Sequence, residues 1–170
     1  WHLPEEAPVA LLYNGGQFAV MMATAQDIED FAVGFSLTEG IADMIADVED
    51  IRIAEAADGV IVNILIDPAK LERAEGRRRT LTGRSGCGLC GAQSLDAVMQ
   101  PLRKVKTVKP NAEAVEAALV GLKANQPMNA LNKSTHAAGF AAMDGSIKLV
   151  REDIGRHNAL DKLAGALARG

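Results

Sequence analysis

Two cysteines, Cys87 and Cys90, stand three residues apart in the run Arg84-Ser85-Gly86-Cys87-Gly88-Leu89-Cys90-Gly91, and the chain has no others. The thiolate is the reactive form of cysteine, and it is favoured by nearby cations and by the positive end of a helix dipole. Both aids are legible. Arg77, Arg78, Arg79 and Arg84 lie just upstream, while Ala92, Leu95, Val98 and Met99 recur at helical spacing and predict a helix that opens at the pair and ends near Pro101. Gly86, Gly88 and Gly91 leave nothing bulky to shield the sulfurs. The chemistry implied is that of a nucleophilic thiol on an accessible, electropositive segment. Such a pair can carry sulfur or exchange disulfides, and its spacing alone does not separate the two. The glycines and arginines argue against two small core residues. A zinc site would need a second ligand pair, whereas His2, His136 and His157 are scattered, so no metal site is expected.

A second constellation follows in Glu152-Asp153-Ile154-Gly155-Arg156-His157-Asn158. Leu160, Leu163, Ala164 and Leu167 predict an amphipathic helix after it, so the polar run sits at a strand-to-helix junction. Helix N-termini bind anions through free N–H groups; here Gly155, Arg156 and Asn158 would add close approach, charge and hydrogen bonds for a phosphate or guanine-like ligand. His157 and Asp161 fall four apart, so the carboxylate could fix the imidazole tautomer. The plainer reading makes Asp153 a helix cap, pairs Arg156 with Glu152 or Asp153, and leaves His157 structural. His136, after Ser134-Thr135 at a strand entry, is either a ligand contact or a turn contact.

Elements to position these groups follow from pattern. Val9 to Tyr13 and Phe18 to Met22 flank Asn14-Gly15-Gly16 as a hairpin, and a helix spans 25 to 39, with Thr24 and Asp27 as an N-cap pair and Gly40 as its stop. Asp50 to Ala56 and Val60 to Ile66 form a second hairpin through Asp58-Gly59, its later strand apolar enough to be buried on both faces. Residues 68 to 86 read as a charged stretch of helical propensity followed by a surface loop, whose arginines are either a solvated run or a dock for an anion. Asn111 caps a helix with a core stripe of Val115, Ala118, Leu119 and Leu122, and Ala137 to Met143 and Ser146 to Arg151 make a third hairpin around Asp144-Gly145. The division expected is a hairpin and helix over 1–45 and an α/β core over 46–170.

At 170 residues and 48% hydrophobic, the chain can bury a sizeable core. A formal charge of -4 gives no argument for a nucleic-acid or membrane surface. Two cysteines in a reactive motif are no secreted disulfide framework, and the reading expects a cytoplasmic protein.

The distributed set Asn14-Gly15, Ala19 to Thr24, Val33-Gly34-Phe35, Glu39-Gly40, Ser85 to Gly91, Thr135 to Ala138 and Glu152 to Lys162 resembles the FdhD/NarQ proteins, the formate dehydrogenase accessory sulfurtransferases. The resemblance implies a cytidine-deaminase-like mixed sheet with helices on both faces, preceded by the N-terminal hairpin and helix. It implies a sulfurtransferase that takes persulfide sulfur from a cysteine desulfurase and passes it to the molybdenum, or tungsten, of a bis-guanine-dinucleotide pterin cofactor for formate dehydrogenase. Cys87 would be the carrier and Cys90 would assist or resolve it. The acceptor, or a GDP-like nucleotide, would meet Gly155, Arg156, His157, Asn158, His136 and Arg84. In the deaminase fold, metal ligands lie at the starts of two helices, so the cysteine segment and the 153–158 turn are expected to converge. A homodimer is expected, because an incomplete sheet leaves open edges. The runners-up are a non-catalytic chaperone for the molybdenum cofactor and a dithiol oxidoreductase. Two departures stand out. Asn132-Lys133-Ser134-Thr135 replaces a Thr-Gly-Gly-like turn, and the C-terminal part of the family fold, with its glycine- and arginine-rich tail, is expected to be absent.

Overall fold

The turn Asn14-Gly15 has positive φ at both residues, 50° and 83°, which matches the twist of the strands it joins. It links β1 (Ala7–Tyr13) to β2 (Gly16–Ala23) in a computed structural model that describes residues 3–72 and 105–170. A second antiparallel hairpin, β3 (Val48–Ala56) and β4 (Gly59–Ile66), joins the first through parallel pairing of β1 with β4. The result is a mixed sheet of order β2-β1-β4-β3 that spans the 45/46 position. The Asn14 side chain strengthens this central seam. Its amide donates to the Ile66 carbonyl at 2.9 Å and accepts from the Ile66 N–H at 3.0 Å, as a strand peptide would.

Alternation decides what each strand buries. Val9, Leu11 and Tyr13 of β1 and Val62, Ile64 and Ile66 of β4 all turn to one face and are no more than 2% exposed. Ile61, on the other face of β4, is 39% exposed, so this strand is buried on one face and not on both as its composition suggested. An apolar run alone does not distinguish the two cases.

Over the buried face lies α1 (Ile28–Thr38), through Ile28, Phe31, Ala32 and Phe35. Phe18 meets both Tyr13 and Phe35 edge-on, with centroids 5.1 and 6.3 Å apart. As expected, Gly40 ends the helix. With φ +66°, it donates to Leu37 while Ile41 donates to Ser36, and Ile41 is buried beside them. Asp27 holds the N-cap position but makes no side-chain cap bond, and Thr24 is engaged elsewhere, so the expected capping pair does not form.

The remaining elements stack on the far side of α1. They are α2 (Ala112–Ala124), a six-residue α3 (Pro127–Asn132), the hairpin β5 (His136–Ala141) and β6 (Ile147–Asp153), and α4 (Arg156–Arg169). Helix α4 packs against α1 on one side and against β5 and β6 on the other. The α1–α4 contact is backbone to backbone: a Cβ at Gly34 would fall 1.7 Å from the Asp161 carbonyl oxygen, and one at Gly165 would fall 1.9 Å from that of Asp30. Asp30, itself buried, is gripped from both ends of this layer, by Arg151 at 2.7 Å and Arg169 at 2.6 Å.

Two expected stripes differ from what is observed. Asn111 does cap α2, accepting from the Ala114 N–H at 2.7 Å, but Val115 and Leu119 are 46% and 65% exposed. They line an apolar groove of about 350 Å³ between α2 and the β5–β6 hairpin. In α4, Leu160 and Leu167 are 56% and 44% exposed, while Asn158, Ala159, Lys162, Leu163 and Gly165 are buried. The buried face of α4 includes polar residues because their partners arrive from other elements.

Candidate functional site

Strand β6 ends at Asp153 and α4 begins at Arg156, so the polar run occupies the junction that periodicity assigned to it. Gly155 is the N-cap residue and has no side chain with which to cap, which leaves the first N–H groups of a 14-residue helix without a side-chain acceptor from that position. Arg156 and His157 follow at once, and both are exposed. His136 is exposed too, and pairs in register with Asp153 across the β5–β6 ladder. The structure therefore brings His136, Arg156 and His157 to the same end of this hairpin. An end that joins a guanidinium, two imidazoles and a helix N-terminus favours anions.

The other members of the run point inward. Asp153 is fully buried. Its Oδ2 accepts from the Thr24 N–H at 2.9 Å, the Thr24 hydroxyl at 2.9 Å and Lys162 Nζ at 2.8 Å, while its Oδ1 accepts from the Gly155 N–H at 2.8 Å and Asn158 Nδ2 at 3.1 Å. Burial alone would raise this carboxyl, but the hydrogen bonds from Lys162, Gly155 and Thr24, with the Lys162 charge, outweigh it and hold Asp153 below the usual carboxylate range. Asn158 is buried and commits the same amide nitrogen to the Met22 carbonyl at 2.8 Å. Its place is in the frame of the turn, not on its outer surface.

Glu152 has a different task. Buried against α3, its two oxygens accept from the Met128 and Asn129 N–H groups, each at 2.8 Å, satisfying the start of that helix. Asn132 ends the same helix and accepts from the N–H groups of Ser134 and Thr135 at 2.9 and 3.1 Å. Between them Lys133 takes φ +59°, ψ +17°, a conformation that suits glycine. The turn contact near His136 is thus made by buried Thr135, whose hydroxyl reaches Glu152 and Asn132, each at 3.3 Å.

Asp161 takes Thr38 Oγ1 as its donor, at 2.8 Å, so the carboxylate expected to orient His157 is engaged across the α1–α4 contact instead. Burial, aided by the charge of Glu39 and opposed by the Thr38 hydrogen bond, raises Asp161 to about 6. Nothing local marks Thr24 or Lys162 as contributors to this junction, and Glu152, which the sequence offers as a partner for Arg156, binds the start of α3 instead. Lys162 lies nine residues beyond Asp153, and the partner of Thr24 is 129 residues away. Only the Pro127 start of α3 left a local signal, since proline favours the first turn of a helix.

Cys87, Cys90 and Arg84 lie outside the described residues, as do Arg77 to Arg79 and the expected convergence of the cysteine segment with the 153–158 turn. Among the described residues, no three or more His, Cys, Asp and Glu side chains gather as a metal site, and no helix is long and apolar enough to cross a membrane.

Comparison with known proteins bears on the fold and the family. A crystal structure of a provisionally assigned formate dehydrogenase accessory protein from Desulfotalea psychrophila superposes with a TM-score of 0.67 at 19% identity, covering 98% of this chain and 60% of that one. This likeness supports the mixed α/β fold. The chain is 50% identical over 165 residues to a sulfur carrier protein FdhD of Xanthomonas oryzae pv. oryzae (strain MAFF 311018), which spans 96% of this chain and 59% of the relative. It is also 50% identical to one from Cupriavidus necator, over 57% of that protein's length. The chain thus spans somewhat under two thirds of these relatives. Since the FdhD/NarQ family profile matches residues 4–170, and the identity to these relatives extends through nearly all of that stretch, this chain belongs to the FdhD/NarQ family.

Proposed function

We propose that this protein carries sulfur as a persulfide on Cys87 and delivers it to the molybdenum of a bis-guanine-dinucleotide pterin, for use by a formate dehydrogenase. The observation that carries this reading is the Cys87-Gly-Leu-Cys90 pair among glycines and arginines, in a chain half identical to proteins called sulfur carriers. In the first step, the Cys87 thiolate attacks the outer sulfur of a desulfurase persulfide. The donor S–S bond breaks, its thiolate leaves, and Cys87 holds the sulfur as a persulfide. In the second, the Cys90 thiol attacks the inner sulfur of Cys87. A Cys87–Cys90 disulfide forms and hydrosulfide leaves toward the metal of the substrate, so the two electrons that reduce the sulfur come from the pair. A thiol reductant then restores both cysteines.

Binding of the acceptor falls to groups at the β6–α4 junction. Arg156, His157 and His136 are exposed there, and the N–H groups at the start of α4 suit the phosphates of a guanine dinucleotide. A cytoplasmic homodimer served by a cysteine desulfurase completes the proposal. The test is incubation with desulfurase and cysteine, followed by mass spectrometry and cyanolysis. Wild type should gain one sulfur on Cys87 and release thiocyanate, and Cys87→Ala should do neither. Absence of persulfide from both would favour a cofactor-binding chaperone. A Cys87–Cys90 disulfide that turns over with thioredoxin, without added sulfur, would favour an oxidoreductase.

A further inference from the structure

Asp153 and Lys162 are each 0% exposed, so neither charge is itself open to the acceptor. Exchanging such a pair for apolar residues of similar volume is commonly neutral or stabilising, so stability is a poor reason for burying it. Geometry is a better one. The Asp153 carboxylate gathers donors from Thr24 at the β2–α1 connection, from Gly155 before α4, and from Asn158 and Lys162 on its first two turns. Lys162 Nζ reaches the Thr24 carbonyl at 3.0 Å and hydroxyl at 2.6 Å besides Asp153, so all three ammonium hydrogens have acceptors. The Thr24 hydroxyl gives its proton to Asp153 and accepts from Lys162, closing the ring. Gly155 leaves room for this close arrangement, because a Cβ there would stand 2.9 Å from Asn158 Nδ2.

Between the two anchored residues Gly155 and Asn158 lie only Arg156 and His157, both facing solvent. We propose that Thr24, Asp153 and Lys162 are positioning residues for anion recognition: they fix the two-residue step that presents Arg156 and His157, so affinity for a phosphate depends on side chains that never touch it. This inference rests on the reading of that junction as the acceptor site. Preorganised groups bind more tightly because ordering them costs little at the moment of binding.

Guanosine diphosphate is the probe, titrated calorimetrically into the full chain well below its unfolding temperature. Arg156→Ala should weaken binding about tenfold, the loss expected of one charge-assisted contact. Thr24→Val, which keeps the shape and removes the hydroxyl, should weaken it by a similar factor, about tenfold, and Thr24→Ser should restore it. If Thr24→Val does not fold, Asp153→Asn combined with Lys162→Met takes its place. A purely structural cluster would lower the unfolding temperature of Thr24→Val and leave the affinity of the folded protein at the wild-type value. That outcome, with Arg156→Ala weakened, overturns the positioning role alone. Wild type that ignores the probe, or Arg156→Ala that binds as wild type does, overturns the acceptor site and this inference with it.

Discussion

Replacing Gly34 with alanine puts a methyl group where α4 already stands. The new Cβ would lie 1.7 Å from the Asp161 carbonyl oxygen, 2.5 Å from its carbon and 3.0 Å from the Gly165 nitrogen, all backbone atoms that no rotamer change can move. To relieve the clash, α1 and α4 must part by more than an ångström, which also stretches the Thr38–Asp161 bond and the Asp30–Arg169 bridge between them. Ordinary overpacking costs about 1–3 kcal/mol, and rigid backbone on both sides places this case at the upper end. Alanine returns about 1 kcal/mol in helix propensity, leaving a net loss of about 2 kcal/mol or more. Urea unfolding followed by circular dichroism should show the midpoint fall at unchanged slope. Gly165→Ala, 1.9 Å from the Asp30 carbonyl oxygen, should behave alike. The double variant should lose less than the sum, because helices already parted make room for the second methyl. Gly34→Ala as stable as wild type would refute the close crossing.

Two further outcomes can be measured with the same assay. Lys133→Gly should stabilise by about 0.5–1 kcal/mol, since a left-handed conformation costs an L-residue about 1–2 kcal/mol and glycine's extra chain entropy offsets part of the gain; a loss would mean that the exposed Lys133 side chain contributes more than its backbone costs. Asp161 rises from 3.8 to about 6 in the folded chain, so its contribution to stability is full below the unfolded value and disappears as pH climbs through the folded one. Asp161→Asn should therefore gain about 1 kcal/mol near pH 8, allowing for partial solvent screening, and almost nothing near pH 4. Equal gains at both would refute the shift.

Elements with local signatures were legible in the sequence: the Asn14-Gly15 turn, the Gly40 stop and the Asn111 cap all appear where pattern puts them, whereas β4 reads as buried on both faces and is buried on one. The polar core was not. Thr24 reads locally as a helix cap and nothing local marks Lys162 as buried, because their partners come from 129 or more residues away along the chain, or from across a helix turn and a strand end. Leucine periodicity misled in α2 and α4 for a related reason. It records which face is apolar, and not whether another element covers it, so Leu119 and Leu160 remain open while Lys162 is enclosed. In the polar run itself, residue type alone could not divide solvent-facing Arg156 and His157 from inward-facing Glu152, Asp153 and Asn158. That division came from burial.

The grip of Arg169 and Arg151 on Asp30 bears on how the protein emerges from the ribosome. Strands β1 and β2 and helix α1 are made well before α4, yet Thr24 and Asp30 find their charged partners only when residues 151 to 169 have been translated. Until then the early half holds polar groups it cannot satisfy internally, so it stays hydrated and loosely assembled. Synthesis of α4 then brings both halves together, and a nascent chain stalled before Arg156 would lack these partners and be more exposed to proteases and chaperones.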